Sequence, residues 1–482
     1  MQLSKNQIAT VVVLIFGVLL VILNTNLLSP VLPTLMEEFG VSATTIQWLS
    51  SGYTLAEAVI VPLSAYFLGR FSTRSLFAGG MGIFSVGSLV AALAPAFPVL
   101  LAGRVMQAIG AGILLPMGIS IVTVTFPREK RGTAMGIISL AIGFAPAIGP
   151  TLGGVLDDTV GWRALFMLVA LLGVIVLVFG VKTLTNYDVF ARYKLDVPSV
   201  VLMACGMVSL LYGISSITSA SVIAIPIALI VAGVVLLAVF VRRQLKLEEP
   251  MLKVTVLKAY RFRTNVVTVM LLQASLIGCG VILPLYVEDV LGCTPTQSGL
   301  IMLPGAIIGA IIGFVAGRLY DRFGVRGLAV TGVTILLLAG IGMTTLKIDS
   351  SMAYVALMYA ALVLGVQMLT TPMNTWGINS IDNGSIQHAN SLLNSLNMVA
   401  SSIGTALLTA LTALGPSVAP NATALEQTFA GDHLAFCGLC AFAIICTFVV
   451  YVFVRDKAHA GENEADASAQ QASQPDGEAT KA

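Results

Sequence analysis

The sequence predicts an all-α polytopic membrane protein, with two six-helix bundles, an inserted helix pair and about 14 transmembrane helices in all. Hydrophobic residues make up 57% of the 482 residues and charged residues only 10%, whereas roughly a quarter of the residues in soluble domains are charged. Apolar runs of about 20 residues, long enough to cross a bilayer, recur along almost the whole chain. Lysine and arginine gather in alternate loops, which fixes the number of crossings.

The expected spans follow one another at short intervals. The first apolar run, residues 8–32, is too long for a signal-peptide core and lacks a convincing cleavage site, so we interpret it as a span. The N-terminal half is expected over 1–182, the inserted pair with its linkers over 183–262, the C-terminal half over 263–457 and a disordered cytoplasmic tail over 458–482. The spans are expected to begin near residues 10, 46, 76, 98, 132, 163, 197, 222, 264, 297, 327, 352, 387 and 433.

The distribution of basic residues predicts the orientation. With the N-terminus inside, only Arg163 and Lys347 of the 25 lysines and arginines fall in outward loops, Arg104 lies within a span, and the other 22 are cytoplasmic. Positive loops stay on the cytoplasmic side. We therefore expect both termini to be cytoplasmic. The same basic clusters can meet anionic lipid headgroups, so they do not indicate nucleic-acid binding.

A short loop recurs at the same place in each half. Residues 65–74 follow the second span, and residues 317–326 follow the second span of the last six; both contain Arg-Phe-x-x-Arg. Internal repeats of this kind are typical of secondary transporters, whose substrate site lies near the membrane midplane between the halves.

The segment 143–154, with the sequence GFAPAIGPTLGG, breaks helix rules inside an apolar span. Its prolines, Pro146 and Pro150, would kink or stop a helix in water, but a helix in a bilayer survives because neighbouring groups satisfy the freed backbone. Its glycines permit close approach of another helix. The segment predicts a bend combined with a tight contact, as moving parts of a transporter need. Its glycines are Gly143, Gly149, Gly153 and Gly154.

Two ionisable side chains within the predicted spans are functional candidates. Glu57 lies about eleven residues into the second span, about 16 Å deep, where it could carry a proton or cation, form a structural pair or snorkel. Arg104, at the start of the fourth span, requires acceptors when buried. Gln107 lies one turn away on the same face, and Glu57, Asn24 or backbone carbonyls are further possible partners.

Uncharged polar side chains form a pattern on the thirteenth span. Asn390, Asn394, Asn397 and Ser401 are spaced four, three and four apart, which places them on one helical face. Such a stripe either lines an aqueous cavity or bonds a neighbouring helix. The same alternatives stay open for the cavity candidates Asn24, Gln107, Gln273 and Asn374. Tyr53, also a cavity candidate, could form part of an adaptable apolar surface.

The residues that would indicate an enzyme or a metal site are scattered. The three histidines, at 388, 433 and 459, lie near span ends or beyond, and five cysteines fall in apolar runs, so that only Cys293 is expected to face outward. The Cys-Gly-Leu-Cys sequence at 437–440 lacks the surrounding fold of a redox site, and the phosphate-binding loop of an ATP-driven pump is missing. We expect no catalytic activity and no metal or cofactor, with the proton gradient as the energy source.

Four stretches carry a family resemblance: Gly103-Arg104, the segment 143–154, the two related loops, and Leu303-Pro304-Gly305. With them the chain resembles the major facilitator superfamily over about residues 10–455, and within it the fourteen-span drug:proton antiporters of the EmrB/QacA and lincomycin-resistance type. The resemblance implies that the glycines and prolines of 143–154 bend against the opposite half and that Arg104 belongs to the proton-coupling machinery.

The resemblance also implies a charge-relay latch at the two loops. Asp321, Arg322 and Arg326 would hold one face of the protein closed. The other loop residues of this pattern are Arg70, Arg74, Gly317 and Gly324.

The chain departs from the family pattern at several positions. The first-half loop has Ala65, Gly69 and Ser72 where the pattern has Gly, Asp and Gly, so that loop lacks the acid. The first span has Asn24 where such exporters often carry Asp, and the acid of the second span could have taken over that role.

The function expected from these residues is proton-coupled export of amphipathic small molecules, that is, multidrug efflux and antibiotic resistance, by alternating access. The alternative is a narrow-specificity exporter of a lipid, a bile-acid-like compound or a metabolite. A non-transporting sensor or scaffold is disfavoured because the chain has no soluble domain or long structured loop. The expected partners are small amphipathic substrates, protons and membrane lipids, for a monomer in a bacterial inner membrane and with no nucleic acid.

Overall fold

A computed structural model describes residues 5–28, 31–187, 196–217 and 223–455. Within these ranges the chain forms fourteen long helices and no strand. The helices are α1 Lys5–Leu27, α2 Trp48–Arg70, α3 Thr73–Ala92, α4 Phe97–Thr125, α5 Arg131–Val160, α6 Trp162–Thr183, α7 Val197–Ser216, α8 Ala224–Gln244, α9 Tyr260–Leu285, α10 Pro295–Phe323, α11 Val325–Thr344, α12 Met352–Ile378, α13 Ile386–Thr412 and α14 Ala424–Phe453.

Short helical segments join these spans. They are the α-helices Leu32–Phe39, Ala43–Ile46 and Gly415–Val418, the 3₁₀-helices Arg128–Lys130, Val254–Lys258 and Asn383–Ser385, and the π-helix Tyr286–Val290.

The long helices confirm the predicted membrane fold. Thirteen of them within the described residues are long and apolar enough to cross a bilayer, and the remaining one, α5, has 30 residues. At 1.5 Å per residue, helices of this length reach about 30–45 Å. The fourteen long helices of the described residues make an even number of crossings, so α1 begins and α14 ends at the same face of the bundle, which we call the terminal face. The other is the distal face.

The predicted start of the last span is wrong by about nine residues. Helix α14 begins at Ala424 rather than near 433, because Thr423 and Glu426 form a capping box. The Thr423 hydroxyl accepts from the Glu426 amide (3.3 Å) and the Glu426 carboxylate accepts from the Thr423 amide (2.9 Å). Reciprocal bonds of this kind satisfy two backbone donors at a helix start. The correction places Asp432 inside the helix.

The two halves form separate hydrophobic cores. Helices α1–α6 supply most of one buried cluster, and α9–α14 supply most of the other. Between the halves, α5 packs along α10 and α2 packs along α13. These two helix pairs therefore form the main contacts between the halves.

The inserted pair, α7 and α8, joins through glycines. A Cβ at Gly233 of α8 would lie 2.6 Å from the Leu210 amide nitrogen of α7, and one at Gly213 would lie 2.9 Å from the Pro226 carbonyl oxygen. Only glycine permits so close an approach of two helix backbones. Helix α7 also contacts α2 and α13, whereas α8 carries mainly exposed apolar side chains. Thus α7 lies between α8 and the two halves.

A carboxylate at the terminal face joins the ends of this pair. Asp196, which precedes α7, accepts two bonds from the Arg243 guanidinium of α8, 2.6 and 2.9 Å long. The hydrogen bond from Arg243 and, after the opposing effect of burial, the one from Ser199 lower the pKa of Asp196 to about 2. The two helices are therefore held at their ends as well as along their length.

The cysteines are all reduced, at positions that partly differ from expectation. Cys293, expected to face outward, is buried, whereas Cys205 and Cys437 are exposed on the apolar surfaces of their helices. The expectation failed because Cys293 follows the π-helix Tyr286–Val290. Its amide donates back to the Val287 carbonyl (3.1 Å), which turns this loop toward the core.

Candidate functional site

A cavity of about 450 Å³ lies between the two halves. Four helices form its sides, α2, α7, α9 and α13, and its lining residues are Thr54, Glu57, Ile214, Ser215, Ile277, Met398, Ser401, Ser402, Thr405, Ala406 and Thr409. Thr54 lies within the first two turns of α2, and Ser215 and Thr409 lie in the last turns of α7 and α13, all at the distal face. Thr54 and Ser215 are exposed. The cavity is therefore accessible from the distal face.

The carboxyl group in this cavity belongs to Glu57. Its side chain is half-buried in the wall formed by α2. The other polar groups around the cavity are hydroxyls of Thr54, Ser215 and α13, while Ile214, Ile277 and Met398 supply an apolar surface. Pockets that combine apolar walls with a few polar groups suit amphipathic small molecules.

Arg104 lies beside the cavity wall, inside the N-terminal half. Its side chain is 1% exposed. Its Nη1 donates to Oε1 of Gln107 (2.9 Å) and its Nε donates to the Leu49 carbonyl (3.3 Å). Its guanidinium also sits 4.4 Å from the ring centroid of Tyr53. The expected contact with Gln107 is present, and the charge is held by neutral acceptors and an aromatic face.

Glu57 interacts with this arginine through space rather than through a direct pair. Arg104 and Tyr53 both lie close enough to Glu57 to influence it electrostatically, but no carboxylate among the described residues lies within 4.0 Å of the Arg104 guanidinium. A buried arginine without a contacting anion raises the local positive potential. The carboxyl group in the cavity is thus free of a salt bridge that would fix its charge.

Gln107 extends the network to α1 and α3. Its amide group exchanges two 3.3 Å bonds with Asn24, and its Nε2 also donates to Oγ of Ser88 (2.8 Å). Thr25 donates to the Tyr53 hydroxyl (3.4 Å). The structure therefore places three cavity candidates, Asn24, Tyr53 and Gln107, in a buried network behind the wall, where they bond neighbouring helices.

The polar stripe on α13 divides along its length. Asn390 is buried and its Nδ2 donates to Oγ of Ser120 in the other half (3.0 Å). Asn394 and Asn397 are half-buried, and Oδ1 of Asn397 is buried without a hydrogen-bond partner among the described residues. Ser401 lines the cavity. Both alternatives for a polar stripe thus occur on one helix.

Two other cavity candidates lie elsewhere. Gln273 and Asn374 are half-buried and do not line the cavity. The sequence prediction missed Ser402, which directly follows Ser401, and Thr405 and Thr409, which continue the stripe at intervals of four residues. The same spacing rule would have found the two threonines had the stripe been followed to the end of the helix.

Asp321 closes the terminal face. Its carboxylate accepts from the Gly132 amide (2.8 Å), the Thr133 amide (2.7 Å) and the Thr133 hydroxyl (2.5 Å). These groups form the first turn of α5, where unpaired amides and the helix dipole favour an anion. Because Asp321 lies on α10, the bonds join the two halves.

Arg322 and Arg326 take no part in this contact. Both are exposed, and among the described residues neither forms an ion pair with Asp321 within 4.0 Å. The Arg322 guanidinium lies 5.1 Å from the Phe323 ring centroid. The charge relay that the resemblance implied is therefore replaced by bonds from backbone amides. In the first-half loop, Arg70 and Arg74 are also exposed.

Further bonds cross between the halves near the same face. Arg131, which is 2% exposed, donates to Oδ1 of Asn383 (2.8 Å) and of Asn379 (3.4 Å). Ser139 and Thr371 share a 2.7 Å bond, and Ser64 and Ser391 share a 3.0 Å bond. Together with Asp321, these residues close the space between the halves on the terminal side of the cavity.

Glycines of α5 and α10 bring the two halves into close contact, and Gly317 of the latch pattern is one of them. A Cβ at Gly136 of α5 would lie 2.8 Å from the Phe314 carbonyl of α10, and one at Gly313 would lie 2.9 Å from Ser139 Cβ. At Gly317 an added Cβ would collide with the Gly132 carbonyl oxygen. Gly324, at the end of α10, has a φ of 75°, which favours glycine.

One glycine of the segment 143–154 lies in a tight contact with another helix. The backbone of α5 is helical through it without interruption, and a Cβ at Gly149 would lie 2.6 Å from Asn26 Cβ of α1. This contact lies within the N-terminal half, and the implied bend of the segment against the opposite half stays a prediction. Gly153 is buried and Gly154 half-buried. The surroundings of Gly143, Pro146 and Pro150 lie outside the described residues.

Sequence reasoning missed one buried acid, Asp432 of α14. It is 2% exposed, and its Oδ2 has no hydrogen-bond partner among the described residues. It lies near Asp289 and near the ring of Tyr286. The capping box at Thr423 is the signal that would have placed it within the last span.

The described residues contain no group of three histidine, cysteine or acidic side chains arranged to hold a metal ion. The chemistry available at the cavity is thus that of one carboxyl group, several hydroxyls and an apolar surface.

Comparison with known proteins identifies the family. Residues 14–405 match the model of the Major Facilitator Superfamily. The chain is 37% identical over 449 residues to the uncharacterized MFS-type transporter YcnB of Bacillus subtilis, covering 93% of each protein. It is 33% identical over 392 residues to the lincomycin resistance protein LmrB of Bacillus subtilis, covering 80% of this chain and 81% of that protein.

Two further similarities extend this result. The tetracenomycin C resistance and export protein of Streptomyces glaucescens is 28% identical over 414 residues, covering 84% of this chain and 76% of that protein. The crystal structure of the human organic anion transporter MFSD10 superposes with a TM-score of 0.68 at 15% identity, covering 93% of this chain and 100% of that one, which shows the shared fold. These proteins are transporters rather than enzymes. The chain is thus an integral membrane transporter that belongs to the major facilitator superfamily.

Proposed function

We propose that this protein is a proton-driven exporter of amphipathic small molecules that works by alternating access. The observation that carries the proposal is the position of Glu57, which lines a cavity of about 450 Å³ open to the distal face. A carboxyl group in that place can bind either a proton or the polar part of a substrate. Competition between the two at one site is sufficient to couple their opposite movements.

The sidedness follows from the loops. Arg128–Lys130 and the basic loop 317–326 lie at the terminal face, and positive loops stay in the cytoplasm. We therefore infer that the terminal face is cytoplasmic and that the conformation is the outward-facing one. In that state Glu57 would take up a proton from outside as the substrate leaves.

The inward-open conformation forms when the contacts at the terminal face break. Asp321, Arg131 and the Ser64–Ser391 pair must separate for the cavity to open inward, after which Glu57 would release its proton and bind substrate. Arg104 supports this exchange because it holds a fixed positive charge near the carboxyl group without neutralising it in a salt bridge. The names of relatives linked to lincomycin and tetracenomycin C favour drug-like substrates.

The experiment measures proton movement in energised inverted membrane vesicles. With wild-type protein, adding ethidium or lincomycin is expected to release protons from the vesicle lumen. The Glu57→Gln variant keeps the shape of the side chain and loses its titration, so drug-dependent proton release should disappear. Proton release that persists in Glu57→Gln would remove Glu57 as the carrier.

Two matched variants control this experiment. Glu57→Asp retains a carboxyl group and should retain coupled transport at a reduced rate. Glu248→Gln removes an exposed acid from the linker after α8 and should leave transport unchanged. If wild-type protein moves no protons with any amphipathic compound while remaining inserted, the protein serves a narrower cargo, such as a lipid or metabolite.

A further inference from the structure

The cavity between the halves has a side that neither half supplies. Ile214 and Ser215, in the last turn of α7, complete it between α2 and α13. Both halves would be sufficient for a cavity in a twelve-helix transporter, so this contribution from the inserted pair requires its own explanation. A pair that only filled space in the lipid would direct none of its side chains into the cavity.

Helix α7 is held firmly at this position. Tyr212 of α7 stacks on Trp48 of α2, with ring centroids 5.8 Å apart and an interplanar angle of 23°. Gly213 and Gly233 bring α8 into direct backbone contact behind it, and Asp196 bonds Arg243 at the other end. Rotation of α7 about its axis would break all of these contacts. The two side chains in the cavity are therefore fixed in direction.

The chemistry of the two side chains differs. Ile214 is buried at 6% exposure and adds to an apolar surface with Ile277. Ser215 is exposed, and its hydroxyl donates to the Tyr212 carbonyl (3.2 Å), which leaves its oxygen able to accept a bond. An apolar patch beside an acceptor, in the same cavity as the Glu57 carboxyl group, suits a molecule with an apolar body and a hydrogen-bond donor or cation.

We propose that α7 is a specificity-determining wall of the transport site, where Ile214 and Ser215 contact the transported molecule and limit its size. The proposal rests on the export function proposed above. It gives the inserted pair a defined role: α7 supplies the contact, and α8 supports α7 from the lipid side.

The first test alters the wall and measures export by cells over a panel of amphipathic compounds of increasing size. Ile214→Ala enlarges the site and should raise export of the largest compounds relative to the smallest by about tenfold, the scale set by a few methylene groups in an apolar pocket. Val208→Ala on the same helix, whose side chain is exposed on the outer surface, is the matched control and should leave the ratio unchanged. An unchanged ratio in Ile214→Ala would overturn the proposal.

The second test does not depend on transport rates. Ser215→Cys should react from outside the cell with a membrane-impermeant maleimide, and saturating ethidium should slow that reaction severalfold. Wild-type protein measures the background from its native cysteines, and Val208→Cys should stay unreactive because it faces lipid. Reaction at the same rate with and without ethidium, in a variant that still exports ethidium, would contradict a contact between residue 215 and the transported molecule.

The two proposals fail in different ways. If wild-type cells export no compound of the panel, the proposed function fails and takes this inference with it. If wild-type cells export them while Ile214→Ala leaves the size ratio unchanged, or ethidium leaves the labelling rate of Ser215→Cys unchanged, the exporter remains and the role of α7 is refuted.

Discussion

Replacing Asp321 by asparagine changes the conformational equilibrium through a small number of identifiable bonds. The carboxylate accepts from two backbone amides and one hydroxyl of α5, at distances from 2.5 to 2.8 Å. An asparagine of the same shape can still accept from the Gly132 amide through its oxygen. Its amino group then faces the Thr133 amide, so that bond is lost and the helix end loses its anion.

The magnitude follows from these losses. One charge-assisted bond is worth about 1.5–3 kcal/mol, and the interaction of a charge with a helix N-terminus adds roughly 0.3–1 kcal/mol. Asp321 is half-buried, so we take the lower part of the sum, about 2–3 kcal/mol. That corresponds to a shift of about 30- to 150-fold toward the state open at the terminal face.

A cysteine in the cavity reports this shift. In a Ser401→Cys background, labelling by an impermeant maleimide from the distal face should slow in Asp321→Asn, and labelling from the terminal face of inverted vesicles should accelerate by more than tenfold. Asp321→Glu retains the charge, and its labelling rates are expected to fall between those of Asp321→Asn and of the parent. Glu248→Gln should give the same labelling rates as the parent. Equal labelling from both faces in Asp321→Asn and its parent would refute the idea that these bonds hold the face closed.

Three further predictions follow from other contacts. Gly233→Leu should separate α8 from Leu210 of α7 and lower the thermal stability of purified protein, measured by fluorimetry, because the backbones cannot remain in contact. Gly69→Asp restores the acid missing from the first-half loop and should slow export while raising distal labelling of the cavity, since by the internal repeat it adds a counterpart to Asp321. The pKa of Glu38 is held below its ordinary 4.5 by a hydrogen bond from the Trp162 indole and then by Arg163. The ionised Glu38 therefore stabilises the folded protein above pH 4.5, and this stabilisation is lost as the pH falls further. Glu38→Gln should lower the melting temperature at pH 7 and show a smaller difference from wild type below pH 4.5.

Much of the fold could be predicted because membrane helices can be recognised in a sequence from their length and composition. Thirteen helix starts lie within a few residues of expectation, since an apolar run must be about 20 residues long whatever its neighbours are. Helix α14 was the exception because its first turns are polar and its start depends on the capping box at Thr423. Hydropathy alone does not detect such a start.

The site was predictable only where the interacting residues lie on the same helix. The contact between Arg104 and Gln107 follows from a spacing of three residues, and the face shared by Asn390 and Ser401 follows from helical periodicity. Contacts between helices that are far apart in sequence do not follow from any such spacing. The approach of Gly136 to α10 depends on how the halves dock, which no local pattern encodes.

The loss of the acid from one of the two related loops makes the closed face asymmetric. On the α5–α10 side, an anion bonds three donors of a helix terminus, whereas on the α2–α13 side the corresponding position is Gly69 and the direct bond is a neutral one between Ser64 and Ser391 (3.0 Å). A neutral hydrogen bond contributes about 1 kcal/mol, less than a charged one. The α2–α13 side should therefore separate first when the protein opens inward. That side carries Glu57 and contacts α7, so the weaker joint lies next to the carboxyl group whose protonation is proposed to drive the change.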